Sequence, residues 1–320
     1  MSGCGKGEKN ATGNNAIYYW RTTFRLINYE LDFLKKHNIN KMYLKFFDVD
    51  FNWDLGTIPV GTTIFIDSVP KNMEIVPTVF ITSEAITHYP DFTDKLLTRI
   101  EDMADANGIT FNEIQIDCDW NESAADKYFA FMKIFKSNLE KKNLTLSTTI
   151  RLFQLGYEMP AADYGVLMCY NTGNINKWET DNSILDIKDV KIHLEKLKKC
   201  KIPLSVAFPN FSWDVSFTKY SSSDENEYYL NGIEYENLDL SNNKYFNKIA
   251  ENRYEQITDD NDYYSKKYVR HEEVTATKII EAKKLILENL SSSLKQIVLY
   301  HLDSANLSKF SDNDVEKIYR

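Results

Sequence analysis

At 320 residues, with 43% hydrophobic and 27% charged residues, the chain has the composition of a globular protein. It is long enough for one α/β barrel of roughly 250 residues carrying insertions. A formal net charge of −9, with no Lys/Arg stripe interleaved with aromatics, argues against nucleic acid as a partner. No run of about 20 apolar residues occurs, so nothing in the sequence reads as a membrane span.

The chain begins Met1-Ser2-Gly3-Cys4, which resembles the end of a bacterial lipobox. On that resemblance Cys4 is the lipidation site, residues 1–15 form a flexible tether, and membrane contact is through the lipid anchor of an extracytoplasmic protein. Cys118, Cys169 and Cys200 follow no C-x-x-C or Cys/His spacing and read as buried thiols, not as a disulfide framework or a zinc site.

From residue 16 onward, short segments rich in β-branched and aromatic residues alternate with helical patterns, as expected of repeated βα units on a parallel sheet. Strand one is expected at 17–24, followed by a helix at 29–36. Strand two falls at 41–50, and a connection over 52–71, broken by Pro59, Gly61 and Pro70, leads to strand three at 74–82. A helix over 91–106 ends at Asn107-Gly108, a left-handed C-cap signal. Strand four is expected at 113–120. Asn121-Glu122-Ser123 then opens a helix through residue 141, in which Tyr128, Phe131, Met132, Phe135 and Leu139 recur at helical spacing as core residues. Strands five, six and seven are expected at 144–152, 164–170 and 203–208, with a helix at 189–199 before the last. Strand eight at 296–302 and a helix at 312–319 close the series. Eight strands separated mostly by helices predict a (β/α)8 TIM barrel over 16–320. Residues 214–270 break the rhythm and are expected to form an insertion after strand seven at the C-terminal face.

Alternate residues of a barrel strand point inward, so Asp117 and Asp119 should share one face at the end of strand four, their Cα atoms roughly 6–7 Å apart. Two carboxylates that close should have pKa values driven apart, the arrangement that general acid and base work at a glycosidic bond needs. Further candidates lie at the other strand ends. Trp20 and Arg21 fall inside strand one, Asp48 and Asp50 end strand two, and Arg151 lies near the end of strand five. Tyr170 and Asn171 lie at the end of strand six, Asn210 and Trp213 just past strand seven, and His301 and Asp303 at the end of strand eight. Polar groups and aromatics converging on one rim suit a carbohydrate, which combines hydrogen-bonding edges with an apolar face. The acids and His301 could also surround a divalent ion, but no local ligand motif supports a metal, and no cofactor is expected.

Asp117-Cys118-Asp119-Trp120 resembles the centre of the strand-four D-x-x-D-x-D-x-E signature of glycoside hydrolase family eighteen, the chitinases and endo-β-N-acetylglucosaminidases. There the final Glu donates a proton while an Asp steers the substrate's N-acetyl group. In this chain Ile114 replaces the first Asp and Asn121 stands at the donor position, so Glu122 or Asp119 would have to take that role. Met168-Cys169-Tyr170-Asn171 is similar to the family's M-x-Y-D element, with Asn171 for Asp. The run 114–119, Tyr128-Phe129 and Leu146-Ser147-Thr148-Thr149-Ile150 also resemble bacterial barrel lipoproteins described as glycosidase-like, which implies a fold and a compartment. The resemblance implies a hydrolase acting on an extracytoplasmic glycan. Asp119 would be the proton donor, Asp117 the orienter, Arg151 and Tyr170 substrate ligands, Trp120 part of the binding surface and Trp213 a stacking wall. The alternative is a non-catalytic carbohydrate-binding barrel that has lost its donor.

Overall fold

The computed structural model describes residues 15–88, 91–221, 227–234, 238–257 and 264–320. Eight parallel strands form the barrel: β1 (Asn15–Tyr19), β2 (Ile39–Asn52), β3 (Glu74–Ile81), β4 (Glu113–Asp117), β5 (Thr145–Arg151), β6 (Tyr164–Met168), β7 (Leu204–Pro209) and β8 (Leu294–Tyr300). The ring closes at β1, where Ala16 faces Val298 of β8 on one side and Lys41 of β2 on the other. The helices are α1 (Asn28–Lys36), α2 (Ser83–His88), α3 (Thr93–Ala106), α4 (Glu122–Glu140), α5 (Ile187–Leu197), α6 (Ala276–Asn289), α7 (Ser304–Leu307) and α8 (Asp312–Tyr319). The (β/α)8 architecture expected from the alternation is the one observed. The β5–β6 connection carries the 3-10 turn Leu152–Gly156 in place of an α-helix.

The strands are buried on both faces, one covered by helices and the other turned into the barrel interior. In β4, Ile114 and Ile116 alternate with the polar Glu113, Gln115 and Asp117, and all five are buried. The polar set faces inward: Tyr18 of β1 donates its hydroxyl across the barrel to Gln115 Oε1 at 2.8 Å. At the N-terminal end of the interior, the Lys41 ammonium lies 2.7 Å from Glu113, whose other oxygen accepts from Ser147 and Tyr164 at 2.5 Å each. Helix α4 buries Tyr128, Phe131, Met132, Phe135 and Leu139 against this wall, at the spacing the sequence shows. Helix α3 ends where expected, with Gly108 at φ +63° and the Ile109 amide closing onto the Ala104 carbonyl at 2.9 Å.

Strands one and four are each three residues shorter than the sequence suggests. Strand one ends at Tyr19, so Trp20 and Arg21 lie beyond it and not inside it. The chain hooks around the Tyr19 hydroxyl, which donates to the Thr23 carbonyl and accepts from the Arg25 amide, and Thr23–Phe24 then pairs with Ile64–Phe65 in a separate ribbon. Strand four ends at Asp117, leaving Cys118, Asp119 and Trp120 outside the ladder. After β7, Ser212–Tyr220 leads a five-stranded antiparallel sheet with Tyr229–Glu234, Phe246–Ala250, Arg253–Gln256 and Ser265–Glu273.

Candidate functional site

The barrel mouth is built around the end of β4. Asp117, the last residue of the strand, is only 4% exposed and accepts from Thr149 Oγ1 of β5 at 2.5 Å. Burial pushes its pKa up to about 6; Arg151 pulls against that shift, and Asp119 adds to it. Asp119, past the strand end, keeps an accessible side chain gripped by Arg151, with Nε at 2.5 Å from Oδ1 and Nη2 at 3.2 Å from Oδ2. A carboxylate held by a guanidinium on both oxygens is a fixed acceptor. Asp119, expected as the donor, is thus engaged by Arg151, while the carboxyl group whose pKa burial raises is Asp117. Burial opposes the charge on Arg151, but Asp117, Tyr170 and Asp119 more than offset it and hold the guanidinium above its usual range. Arg151 Nη1 is buried and has no hydrogen-bond partner among the described residues.

Asn121, at the donor position of the resemblance, is the N-cap of α4. Its Oδ1 accepts from the amides of Ser123 and Ala124 at 3.1 and 3.2 Å. Glu122 occupies the exposed first position of that helix, where its charge meets the positive end of the helix dipole.

Across the mouth, β2 supplies a second ion pair. Its register against β3 slips between Lys45, opposite Thr78, and Phe47, opposite Val79. This bulge inserts one residue and resets the alternation, so Lys45 and Asp48 lie together with Nζ 2.7 Å from Oδ2. Burial raises the Asp48 pKa while Lys45 pulls it down, and Asp48 Oδ1 is buried with no hydrogen-bond partner among the described residues. Aromatic rings fill the space between the two ion pairs. Lys45 Nζ lies 5.8 Å from the Trp20 ring, Trp20 is 6.2 Å from Tyr300, and Tyr300 is 5.0 Å from Tyr170. Tyr170 lies 6.2 Å from Phe211, and the Arg151 guanidinium is 5.6 Å from the Tyr170 ring. Trp20 and Tyr300 are partly exposed, so this floor presents apolar ring faces between charged hydrogen-bonding groups. The Tyr170 hydroxyl donates to Met168 Sδ at 2.9 Å, and burial holds its pKa well above the usual range. Beside Tyr300, burial lowers the His301 pKa to about 4, and its Nδ1 has no hydrogen-bond partner among the described residues.

The structure thus brings Trp20, Asp48, Asp117, Asp119, Arg151, Tyr170 and His301 to one rim. Asn210 stands behind them, its amide donating to the His301 carbonyl at 2.8 Å and so joining the ends of β7 and β8. The remaining candidates serve the scaffold. Arg21 pairs with buried Glu30 at 2.8 Å, Asp50 accepts from Thr82 and from the Phe51 amide, and Asp303 caps α7 through the Asn306 amide. Asn171 turns the chain out of β6 at φ +53° and is exposed. Trp120 is fully buried among Tyr128, Phe129 and Tyr157, because the residue after an inward Asp119 points outward to the helices. Trp213, expected as a stacking wall, is 5% exposed and donates its indole N–H to Glu272 at 2.9 Å, so it packs within the insertion. Sequence reasoning missed Lys45, Thr149, Phe211 and Tyr300. Thr149 was within reach, two residues before Arg151 on the same strand face; Lys45 was hidden by the bulge. Among the described residues, no three His, Cys, Asp or Glu side chains are grouped to hold a metal.

The fold that carries this mouth is a (β/α)8 barrel. Solved structures similar to it over nearly its whole length include the C-terminal domain of a chitinase candidate from Desulfitobacterium hafniense, at TM-score 0.60 and 11% identity, covering 97% of this chain and 100% of that one. The chitinase of Chromobacterium violaceum is similar at TM-score 0.57 and 12% identity, over 96% and 98% of the two chains. The spore cortex-lytic enzyme SleL of Bacillus megaterium is similar at 0.54 and 15%, over 97% and 75%. At these identities the likeness establishes the fold. No protein-family model matches the sequence, and no curated protein is similar enough to count as a relative.

Proposed function

We propose that the barrel mouth binds a glycan chain of β-1,4-linked N-acetylglucosamine type, the polymer for which chitinases are named, and that it does so without cleaving it. The observation that carries the reading is the aromatic floor of Trp20, Tyr300, Tyr170 and Phe211 set between the Lys45–Asp48 and Arg151–Asp119 pairs. A pyranose offers an apolar C–H face to such rings and hydroxyl or amide edges to the flanking ions. Asp48 Oδ1 and Arg151 Nη1, an acceptor and a donor left without partners among the described residues, are groups a sugar edge would satisfy. Glycoside hydrolysis further needs a proton donor at the leaving oxygen. Here that position holds an amide committed to capping α4.

Isothermal titration with N-acetylglucosamine oligomers, paired with a reducing-sugar assay across about pH 4 to 8, tests both halves. Saturable binding that is lost in Arg151→Met, with no sugar released, is the expected result. Absence of binding would overturn the glycan reading; release of sugar would overturn the non-catalytic one. The raised pKa of Asp117 favours a second reading, hydrolysis with Asp117 as proton donor and Asp119 as orienter. In that case Asp117→Asn abolishes the release. An extracytoplasmic location with Cys4 as lipid attachment point belongs to the same proposal, and so does kinship with glycosidase-like lipoproteins. Cys4 lies outside the described residues, among which no helix is long and apolar enough to cross a membrane.

A further inference from the structure

Beyond the mouth, β2 stays paired with β3 only as far as Val49 opposite Ile81. It then rises as a hairpin, pairing antiparallel with Gly56–Val60 from Asp48 opposite Val60 to Asn52 opposite Gly56. Asn52 Oδ1 accepts the amides of Asp54 and Leu55 at 2.9 and 3.0 Å, and Gly56 takes φ +75°, so the tip is a fixed turn. At that tip Trp53 is 82% exposed, an unusual setting for the largest apolar side chain. Its ring is nonetheless oriented. It meets Phe51 edge-on at 5.1 Å and 83° and His88 at 5.0 Å and 66°, while Phe51 and His88 stack at 4.5 Å and 18°.

We infer that this platform is a second sugar-stacking subsite, centred on Trp53, which takes a ring farther along the same glycan that occupies the mouth. The inference rests on the glycan reading of the mouth. What connects the two places is α2. The helix begins at Ser83, whose hydroxyl donates to the Asp119 carbonyl at 3.1 Å, and ends at His88, so the platform stands about 8 Å along the helix from the Asp119 main chain. Helix α2 is anchored: Ala85 and Ile86 are buried, and Lys127 Nζ donates to the Thr87 carbonyl at 2.5 Å. A stacking face held at fixed offset from a second stacking face is what an extended chain requires, and the His88 imidazole adds a polar edge for hydroxyl groups beside the indole.

The test compares di- and hexasaccharides of N-acetylglucosamine by titration against the full chain and against Trp53→Ala and Trp53→Phe. Trp53 makes its contacts at an exposed tip, and a thermal melt checks that the variants fold. The hexamer should bind the full chain at least about tenfold more tightly than the dimer. Trp53→Ala should erase that advantage while leaving dimer affinity unchanged, and Trp53→Phe should keep most of it. A length advantage that survives Trp53→Ala overturns the platform while the mouth reading stands. Failure of every oligomer to bind the full chain overturns the mouth reading and the platform with it. Hexamer affinity unchanged in Trp53→Ala alongside lost binding to phosphatidylglycerol vesicles reassigns the tip to a lipid surface and overturns the subsite.

Discussion

Burial of Asp117 makes the folded protein hold a proton that the unfolded chain releases. Its folded pKa of about 6 lies above the ordinary carboxylate value near 3.9. Between those two values the native state binds more protons than the unfolded one, so stability falls as pH rises through that window and levels off above it. The full span corresponds to about 3 kcal/mol, present below pH 4 and lost by about pH 6.5. Asp117→Asn should flatten this part of the pH profile, read as the thermal midpoint at steps between about pH 4 and 7. An unchanged slope would assign the dependence to another group. The neighbouring Asp119 differs because it has left the strand and met Arg151. Two carboxylates two residues apart thus differ through burial and partners, which their spacing alone does not encode.

Among the elements, α4 and β2 decide how the rim residues are used. The Asn121 cap on α4 satisfies two amides at the head of a 19-residue helix, and removing it should cost about 1 kcal/mol. Asn121→Ala should therefore lower the urea midpoint with unchanged slope, whereas Asn121→Asp, which keeps the accepting oxygen, should hold it. Equal stability of all three forms would remove the capping role. The helix start at Asn121-Glu122-Ser123 was legible in the sequence; what the strand pattern obscured was that a residue cannot both cap a helix and project into the mouth. In β2, the bulge at Phe46 puts Lys45 beside Asp48, a pairing that strict two-residue alternation forbids. Neither half-pattern carries a composition signal, since both stretches read as ordinary strand.

At the scale of the whole barrel, the two ends of the interior are built differently. The polar plug at the N-terminal end joins Lys41 and Tyr43 of β2, Glu113 of β4, Ser147 of β5, Tyr164 of β6 and Gln296 of β8. Glu113→Ala takes the carboxylate from a buried ammonium, leaving it the more exposed Glu74 at 3.0 Å and the Tyr164 hydroxyl at 3.4 Å, and should cost about 3 kcal/mol or more. The glycan binding proposed for the opposite end should be unaffected wherever the variant is folded, because in this architecture loops at the C-terminal face carry function and the N-terminal face carries stability. Denaturant unfolding and titration on the same sample check both statements. Binding lost in step with stability would show that the ends are not independent.

Local pattern alone determined the succession of the eight barrel strands, helices α1, α3, α4, α5 and α8, the α3 cap at Gly108 and the α4 core face, because period, turn chemistry and capping act between residues close in the chain; it did not mark α2, α6 or α7. It also marked strand four as the centre of the mouth. Only the tertiary structure decided which of its acids is gripped and which is buried, that Trp120 and Trp213 turn away from the mouth into packing, and that Lys45 and Tyr300 complete the rim. Those outcomes depend on barrel closure, a one-residue bulge and the point where each strand ends. Each sets which side chains meet across tens to hundreds of residues, a distance over which local spacing carries no information.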